Sequence, residues 1–115
     1  PIFPAVATES RIRWAGLAPE TFAWYTTYEN IGYCKPNPDY YREILRYLDF
    51  RAEDCLMVGN DVEEDMMAAQ AAGLSVFLLT DCLLNRKEKD ISSYPQGDFD
   101  ALLAFVEEWG GEASL

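Results

Sequence analysis

Cys55-Leu-Met-Val-Gly-Asn-Asp-Val-Glu-Glu-Asp65 decides the reading of this chain: a short apolar run meets a glycine, and acids then stand at Asp61, Glu63, Glu64 and Asp65. Leu56-Met57-Val58 has the length and composition of a fully buried strand, and the acids fall where the chain must turn into a helix. Asp61 and Asp65 are four positions apart. At the start of a helix they stack on one face, near enough to share a cation, or for one to bind it while the other orients its water. Ligation by oxygen alone is what Mg²⁺ prefers. The competing reading is that all four acids complement the positive end of the helix, with Glu63 and Glu64 solvated.

Downstream, Val62, Met66 and Ala69 share a helical face, and Gly73 stands where a left-handed residue ends such a helix. Ser75-Val-Phe-Leu-Leu79 reads as another buried strand. Asp81 to Gly97 is polar and lacks periodicity, so it is assigned to the surface as part of a lid or rim. Asp98 caps a last helix with Phe99, Leu102, Leu103 and Val106 as its buried stripe, ended by Gly110-Gly111.

Upstream, Asn37 is an N-cap with Pro38 at the first helical position, and Tyr41, Ile44, Leu45 and Leu48 follow at core-facing spacing. Cys34-Lys35-Pro36-Asn37-Pro38 is expected to run extended, because proline disfavours helix at the residue before it. Phe22 to Tyr28 is aromatic and β-branched, which predicts a strand ended by Glu29-Asn30-Ile31-Gly32. A first helix runs from Pro4 to about Trp14. Cys34 and Cys55 read as small core hydrophobes.

Helices alternating with strands imply parallel pairing through right-handed crossovers, an α/β sheet with helices on both faces. Sites in such sheets lie beyond the carboxyl ends of the strands, where Lys35 and Asp61 can reach the same rim. Lys35 there can act as a cationic clamp on a phosphoryl group or on acids around a metal; a lone loop lysine is otherwise a surface residue.

The chain has 115 residues, half of them hydrophobic, which is material for one domain with one core. A net charge of −11 repels nucleic-acid phosphates and anionic lipid, and Arg86-Lys87-Glu88-Lys89 is the nearest approach to a basic patch. No apolar run approaches the ~20 residues of a membrane span. Pro1-Ile2-Phe3-Pro4 lacks the basic and apolar regions of a signal peptide, so the expected location is cytoplasmic. Three widely spaced cysteines suit a reducing compartment. The absence of histidine removes Cys/His zinc sites, Ser-His-Asp and Cys-His nucleophiles and any histidine base. Catalysis by this chain must use carboxylates, lysine and metal.

Lys35-Pro36-x-Pro38 heading one helix, then Gly59-Asn60-Asp61-x-x-x-Asp65 heading the next after an apolar strand, closed by Ala-Ala-Gly-Leu at 71 to 74 and a further strand, resembles the haloacid dehalogenase-like (HAD) hydrolase superfamily. The likeness runs from about Glu29 to Leu84 and contains the family's third and fourth motifs in register. It implies a partial Rossmann-like parallel sheet of HAD type. By the resemblance, the enzyme is a Mg²⁺-dependent phosphatase acting on a small phosphorylated metabolite through an aspartyl-phosphate. Lys35 would restrain charge on nucleophile and phosphoryl group, Asp61 with Asn60 would hold Mg²⁺, and Asp65 would support Lys35 or the metal's water shell.

Two departures from the family pattern stand out. Asn60 occupies the position that most often carries the metal-binding aspartate, which shifts the ligand to Asp61 or to the Asn60 carbonyl. No Asp-x-Asp-x-Thr motif occurs, and Asp98-Phe99-Asp100 has the bare spacing but opens a helix instead of following a strand. The resemblance therefore implies the C-terminal part of a single HAD-like core domain, residues 1–115, without its first strands and without a separate cap. Such a segment is expected to be inactive alone and to need the missing N-terminal half, or a second copy, to complete its sheet. The alternatives are a non-catalytic HAD-like interaction module and, because the lysine here precedes the acids, less readily a phosphoacceptor receiver domain.

Overall fold

Two parallel strands carry the acidic turn. In the computed structural model, which describes residues 1–113, the chain divides into two units, Pro1–Cys34 and the part from Lys35 onward.

In the first unit, helix α1 spans Ala5–Trp14 behind Pro4, as its position predicts, and Glu29 Oε2 accepts from the Ala5 N–H at 2.9 Å. Phe22 to Tyr28 forms no strand, contrary to expectation. β-Branched and aromatic residues favour a pleated surface, but a ladder needs a neighbour, and here other groups take the backbone. The Thr27 N–H donates to Asn30 Oδ1 at 2.7 Å, the Tyr28 N–H donates to Phe3 O at 2.8 Å, and Asn30 Nδ2 donates to Tyr25 O at 2.8 Å. Thr27 is buried, whereas Phe22 and Tyr28 are exposed. Cys34 is also exposed, since it lies in a loop and not on a core face; Cys55 is half-buried.

The second unit opens on a turn at Lys35-Pro36, whose peptide bond is cis, in place of the expected extended run. Helix α2 spans Pro38–Leu48, with Asn37 Oδ1 accepting from the Asp39 N–H at 2.9 Å and Asp49 closing the helix in the left-handed region. Tyr41 is buried, and Ile44, Leu45 and Leu48 are half-buried on the same stripe. Strand β1 (Leu56–Gly59) follows. The chain then makes a π-helical turn over Val62–Met67, continues as the short α3 (Ala68–Ala71), and returns as β2 (Ser75–Leu79).

Gly73 adopts φ +94°. Its N–H donates to Gln70 O at 2.9 Å and the Leu74 N–H donates to Ala69 O at 3.1 Å, the paired bonds of a Schellman terminus. Val62, Met66 and Ala69 are the inward face that their spacing predicts, and with Tyr41, Ala68, Val76 and Leu78 they make the core.

Among the described residues the sheet has three strands in the order β1-β2-β3, all parallel, β3 being the two residues Gln96–Gly97. That third strand lies in the segment expected to be wholly irregular. β1 pairs with β2 from Leu56↔Ser75 to Gly59↔Leu78. β1 is only half-buried along its length, not fully buried as its composition suggests; β2, flanked on both sides, buries Val76, Phe77 and Leu78. Among the described residues β1 has one strand neighbour, so one of its edges makes no ladder.

Helix α4 (Phe99–Ala113) begins where Asp98 Oδ1 accepts from the Ala101 N–H at 2.9 Å, and it passes through Gly110-Gly111, where a stop was expected. The inward face also differs. Leu102, Phe105 and Trp109 are half-buried, with the Phe105 ring 5.1 Å from that of Phe77, while Phe99, Leu103 and Val106 are exposed. At the start of α4 a Cβ on Gly97 would lie 2.6 Å from that of Ala101, so helix and strand approach there as only glycine allows.

Candidate active site

The carboxyl end of β1 runs straight into the acidic turn. The local geometry follows from one extra residue per turn: the Asp65 N–H donates to Asp61 O at 3.0 Å and the Met66 N–H donates to the same oxygen at 3.2 Å. Asp61 is the N-cap. Its Oδ1 accepts from the Glu63 N–H at 3.0 Å and the Glu64 N–H at 2.9 Å, satisfying donors that a helix start leaves open. Its Oδ2 accepts from Arg86 Nη1 at 2.7 Å.

Asp65 folds back the other way. Oδ2 accepts from the Asn60 and Asp61 N–H groups, both at 3.1 Å, and Oδ1 accepts from Lys35 Nζ at 2.7 Å. Asp65 thus ties Lys35, Asn60 and Asp61 into one cluster. Both aspartates are buried, at 5% and 4% exposure, and neither lacks partners. Gly59 makes the fold-back possible, because a side chain there would occupy the space of the Asp65 carboxylate. From α2, the Tyr41 hydroxyl donates to Glu64 O at 2.8 Å, pinning the same turn from below.

The electrostatics follow these contacts. Burial alone would lower the pKa of the Lys35 ammonium, but the hydrogen bond and charge of Asp65, with Tyr40 and Glu64 behind it, hold it above its ordinary value. Burial would raise that of Asp61, yet the Glu64 amide, the Arg86 guanidinium and the Glu63 amide outweigh it and hold the carboxyl below the usual range. Burial pushes the Tyr41 phenol upward, and Asp65 adds to it.

Lys35, Asn60, Asp61 and Asp65 therefore meet, but Asp61 and Asp65 do not face one common cation: each has its own. The capping role that competed with the metal reading is real for Asp61. Glu63 lies near Lys87, with Nζ 3.4 Å from Oε2. Asn60 Nδ2 donates to Cys82 O at 2.7 Å, which fixes its side chain. Arg86 was legible only as part of a short basic run, with nothing in its spacing to point at Asp61. Tyr41 was legible as core, but its hydroxyl bond was not.

Among the described residues no three acids or cysteines are grouped as a complete metal cage. The donors do fit one part of a Mg²⁺ shell. Both Asp65 oxygens are held by Lys35 and by backbone amides, whereas Asp61 Oδ2 is held only by a side chain that is 61% exposed. One or two carboxylates, completed by water and phosphate oxygens, are the usual protein share of Mg²⁺ ligation.

A family model described as HAD-hydrolase-like matches residues 32–95, which contain Lys35 and the whole acidic turn. The chain belongs to this family. It is 36% identical over 64 residues to a glyceraldehyde 3-phosphate phosphatase of Methanothermobacter thermautotrophicus, a match covering 56% of this chain and 28% of that protein. A crystal structure of a 2-haloacid dehalogenase from Pseudomonas syringae superposes with TM-score 0.66 at 26% identity, over 85% of this chain and 42% of the dehalogenase. A protein from Listeria monocytogenes serotype 4b superposes with TM-score 0.66 at 16% identity, over 90% of this chain and 65% of its own; at that identity the likeness concerns the fold. The HAD-type Rossmann-like architecture is thus established for this chain, which spans about a quarter of the length of its curated phosphatase relative.

Proposed function

We propose that the protein to which this HAD-like chain belongs is a Mg²⁺-dependent phosphohydrolase acting on a small phosphorylated metabolite. The nucleophilic aspartate comes from outside this chain, which alone is inactive. The relative that is a glyceraldehyde 3-phosphate phosphatase supports a phosphate ester as the substrate class. The observation that carries the reading is the chain of contacts from Lys35 through Asp65 to the amides of Asn60 and Asp61, a buried carboxylate that holds an ammonium at the rim of a parallel sheet.

In this reading Lys35 keeps its proton, and its position is set by Asp65 so that the charge offsets that of nucleophile and phosphoryl group. Asp65 is the positioning residue. Its other oxygen accepts from two backbone amides, which sets where the lysine is drawn. Asp61 Oδ2 would hold Mg²⁺, with Asn60 beside it, and the cation would supply charge neutralisation and orientation for phosphoryl oxygens. The edge of β1 that pairs with no strand among the described residues takes the strand that carries the nucleophile, from the N-terminal half or from a second copy. The expected setting is cytoplasmic, free of nucleic acid and membrane; no helix among the described residues is long and apolar enough to cross a bilayer.

The test is phosphate release by the full-length protein from a panel of triose, sugar and other small phosphate esters, with Mg²⁺ or with EDTA. Release from at least one ester that EDTA abolishes is the expected result. No release from any, with the protein folded, refutes the proposal.

A further inference from the structure

The oxygen assigned to the cation already has a partner. Residues 82–84 are tied to the acidic turn through backbone and amide: the Leu84 N–H donates to Asn60 O at 2.8 Å, the Val62 N–H donates to Leu84 O at 3.0 Å, and Asn60 Nδ2 donates to Cys82 O at 2.7 Å. Asp61 and Leu84 form a parallel bridge. From this base Arg86 extends to Asp61 Oδ2 at 2.7 Å, and Lys87 to Glu63 Oε2 at 3.4 Å. Asp61 Oδ1 is committed to the amides of Glu63 and Glu64, so Oδ2 is the one oxygen with which Asp61 meets an external charge.

A guanidinium and an inner-sphere divalent cation on the same oxygen repel each other across a few ångströms. One must give way. Arg86 is the member built to yield, since its side chain is 61% exposed and an exposed partner is held weakly against water. Lys35 is not, being only 33% exposed and bound to a carboxylate that two backbone amides also fix.

We propose that Arg86 is the resident counter-ion of Asp61, and that a divalent cation binds at Asp61 in competition with it, releasing the Arg86 side chain while residues 82–84 keep their backbone bonds. This regulates the cation site assigned above and rests on that assignment. The counter-ion lets a buried carboxylate stay paired when no metal is bound, where an unpaired one would be costly. It also sets the cation concentration at which the site fills.

Mn²⁺ serves as a spectroscopic substitute for Mg²⁺, with free Mn²⁺ measured by electron paramagnetic resonance in titrations of the full-length protein. Arg86→Gln is expected to tighten Mn²⁺ binding about three- to fivefold, the upper end of what one exposed ion pair is worth. Arg86→Lys, which keeps the charge without the planar fork, falls between wild type and Arg86→Gln. Lys87→Gln, a charge loss of the same size directly alongside, changes affinity less than about twofold. Asp61→Asn weakens binding in both the wild-type and Arg86→Gln backgrounds. Equal affinity for wild type and both Arg86 variants overturns the proposal. So does an equal gain from Lys87→Gln, which would reduce the effect to general charge, or an absence of Mn²⁺ binding in wild type and Arg86→Gln alike. These outcomes are independent of phosphate release: an active enzyme with unchanged Arg86→Gln affinity refutes the competition alone, and Mn²⁺ competition without activity refutes the phosphatase reading alone.

Discussion

Replacing Gly59 with alanine should damage the site more than its size suggests. Gly59 is not among the positive-φ glycines, so its role is space, not conformation. A Cβ at this position would lie 2.6 Å from Asp65 Cβ and would meet the carboxylate as well. Asp65 is only 4% exposed and meets the new methyl with its Cβ as well as its carboxylate, so relieving the clash moves the whole group and strains its bonds to Lys35, Asn60 and Asp61. Overpacking in a tight interior costs about 1–3 kcal/mol. Loosening hydrogen bonds to a charged group costs about 1.5–3 kcal/mol. The two overlap, so the expected loss is about 2–4 kcal/mol, a large part of a typical domain's stability of about 5–15 kcal/mol.

Urea denaturation followed by circular dichroism reads this as a lower midpoint with unchanged slope. In an Asp65→Gly background, which removes the clashing atoms, Gly59→Ala should cost at least about 1 kcal/mol less, because side chains in contact are non-additive. A Gly59→Ala protein within about 0.5 kcal/mol of wild type, or one with the same cost in both backgrounds, would falsify the idea that this glycine exists to admit Asp65.

Other consequences follow from neighbouring contacts. Tyr41→Phe removes the hydroxyl bond to Glu64 O and leaves a carbonyl of the π-helical turn without it, so thermal unfolding should show a loss of about 0.5–1.5 kcal/mol; a gain would mean the bond is not formed. Because folding lowers the Asp61 pKa, its contribution is present above the unfolded carboxyl value of about 3.9 and is lost as pH falls through the folded value, so the stability gap between wild type and Asp61→Asn should narrow on acidification from about pH 5 to 3. A gap that widens on acidification contradicts the assigned direction. Lys35 runs oppositely: its raised pKa makes its contribution complete below about pH 10.4 and lost as pH rises through the folded value, a decline that Lys35→Met should not show.

Signals that act within a few residues were the ones readable from sequence. Asn37 with Pro38, Asp98 and Gly73 each mark a helix end through their own backbone chemistry, and all three ends form there. The face of Val62, Met66 and Ala69 was equally plain, even though the turn beneath it is π-helical.

What escaped depends on distant partners. Phe22 to Tyr28 has the composition of a strand, but composition does not supply a neighbouring strand, and Asn30 and Phe3 engage that backbone instead. The buried side of α4 was misplaced because the helix is apolar on more than one face: Leu102, Phe105 and Trp109 recur at helical spacing just as Phe99, Leu103 and Val106 do, and periodicity does not choose between them. The pairing of Asp65 with Lys35 is one of the two roles the resemblance implied, whereas the cation on Asp61 was missed: a four-residue spacing says that two carboxylates are near each other, but it says nothing about Arg86 arriving from 25 positions away.

If Lys35 and Asp61 belong to one phosphohydrolase site, hydrolysis of p-nitrophenyl phosphate by the full-length protein depends on both. With Mg²⁺ present and folding verified by circular dichroism, wild type should turn over. Lys35→Ala and Asp61→Asn should each lose at least about a hundredfold in kcat, the scale of removing one electrostatic contact made in the transition state. Folded Lys35→Ala and Asp61→Asn proteins that turn over at the wild-type rate would contradict the account.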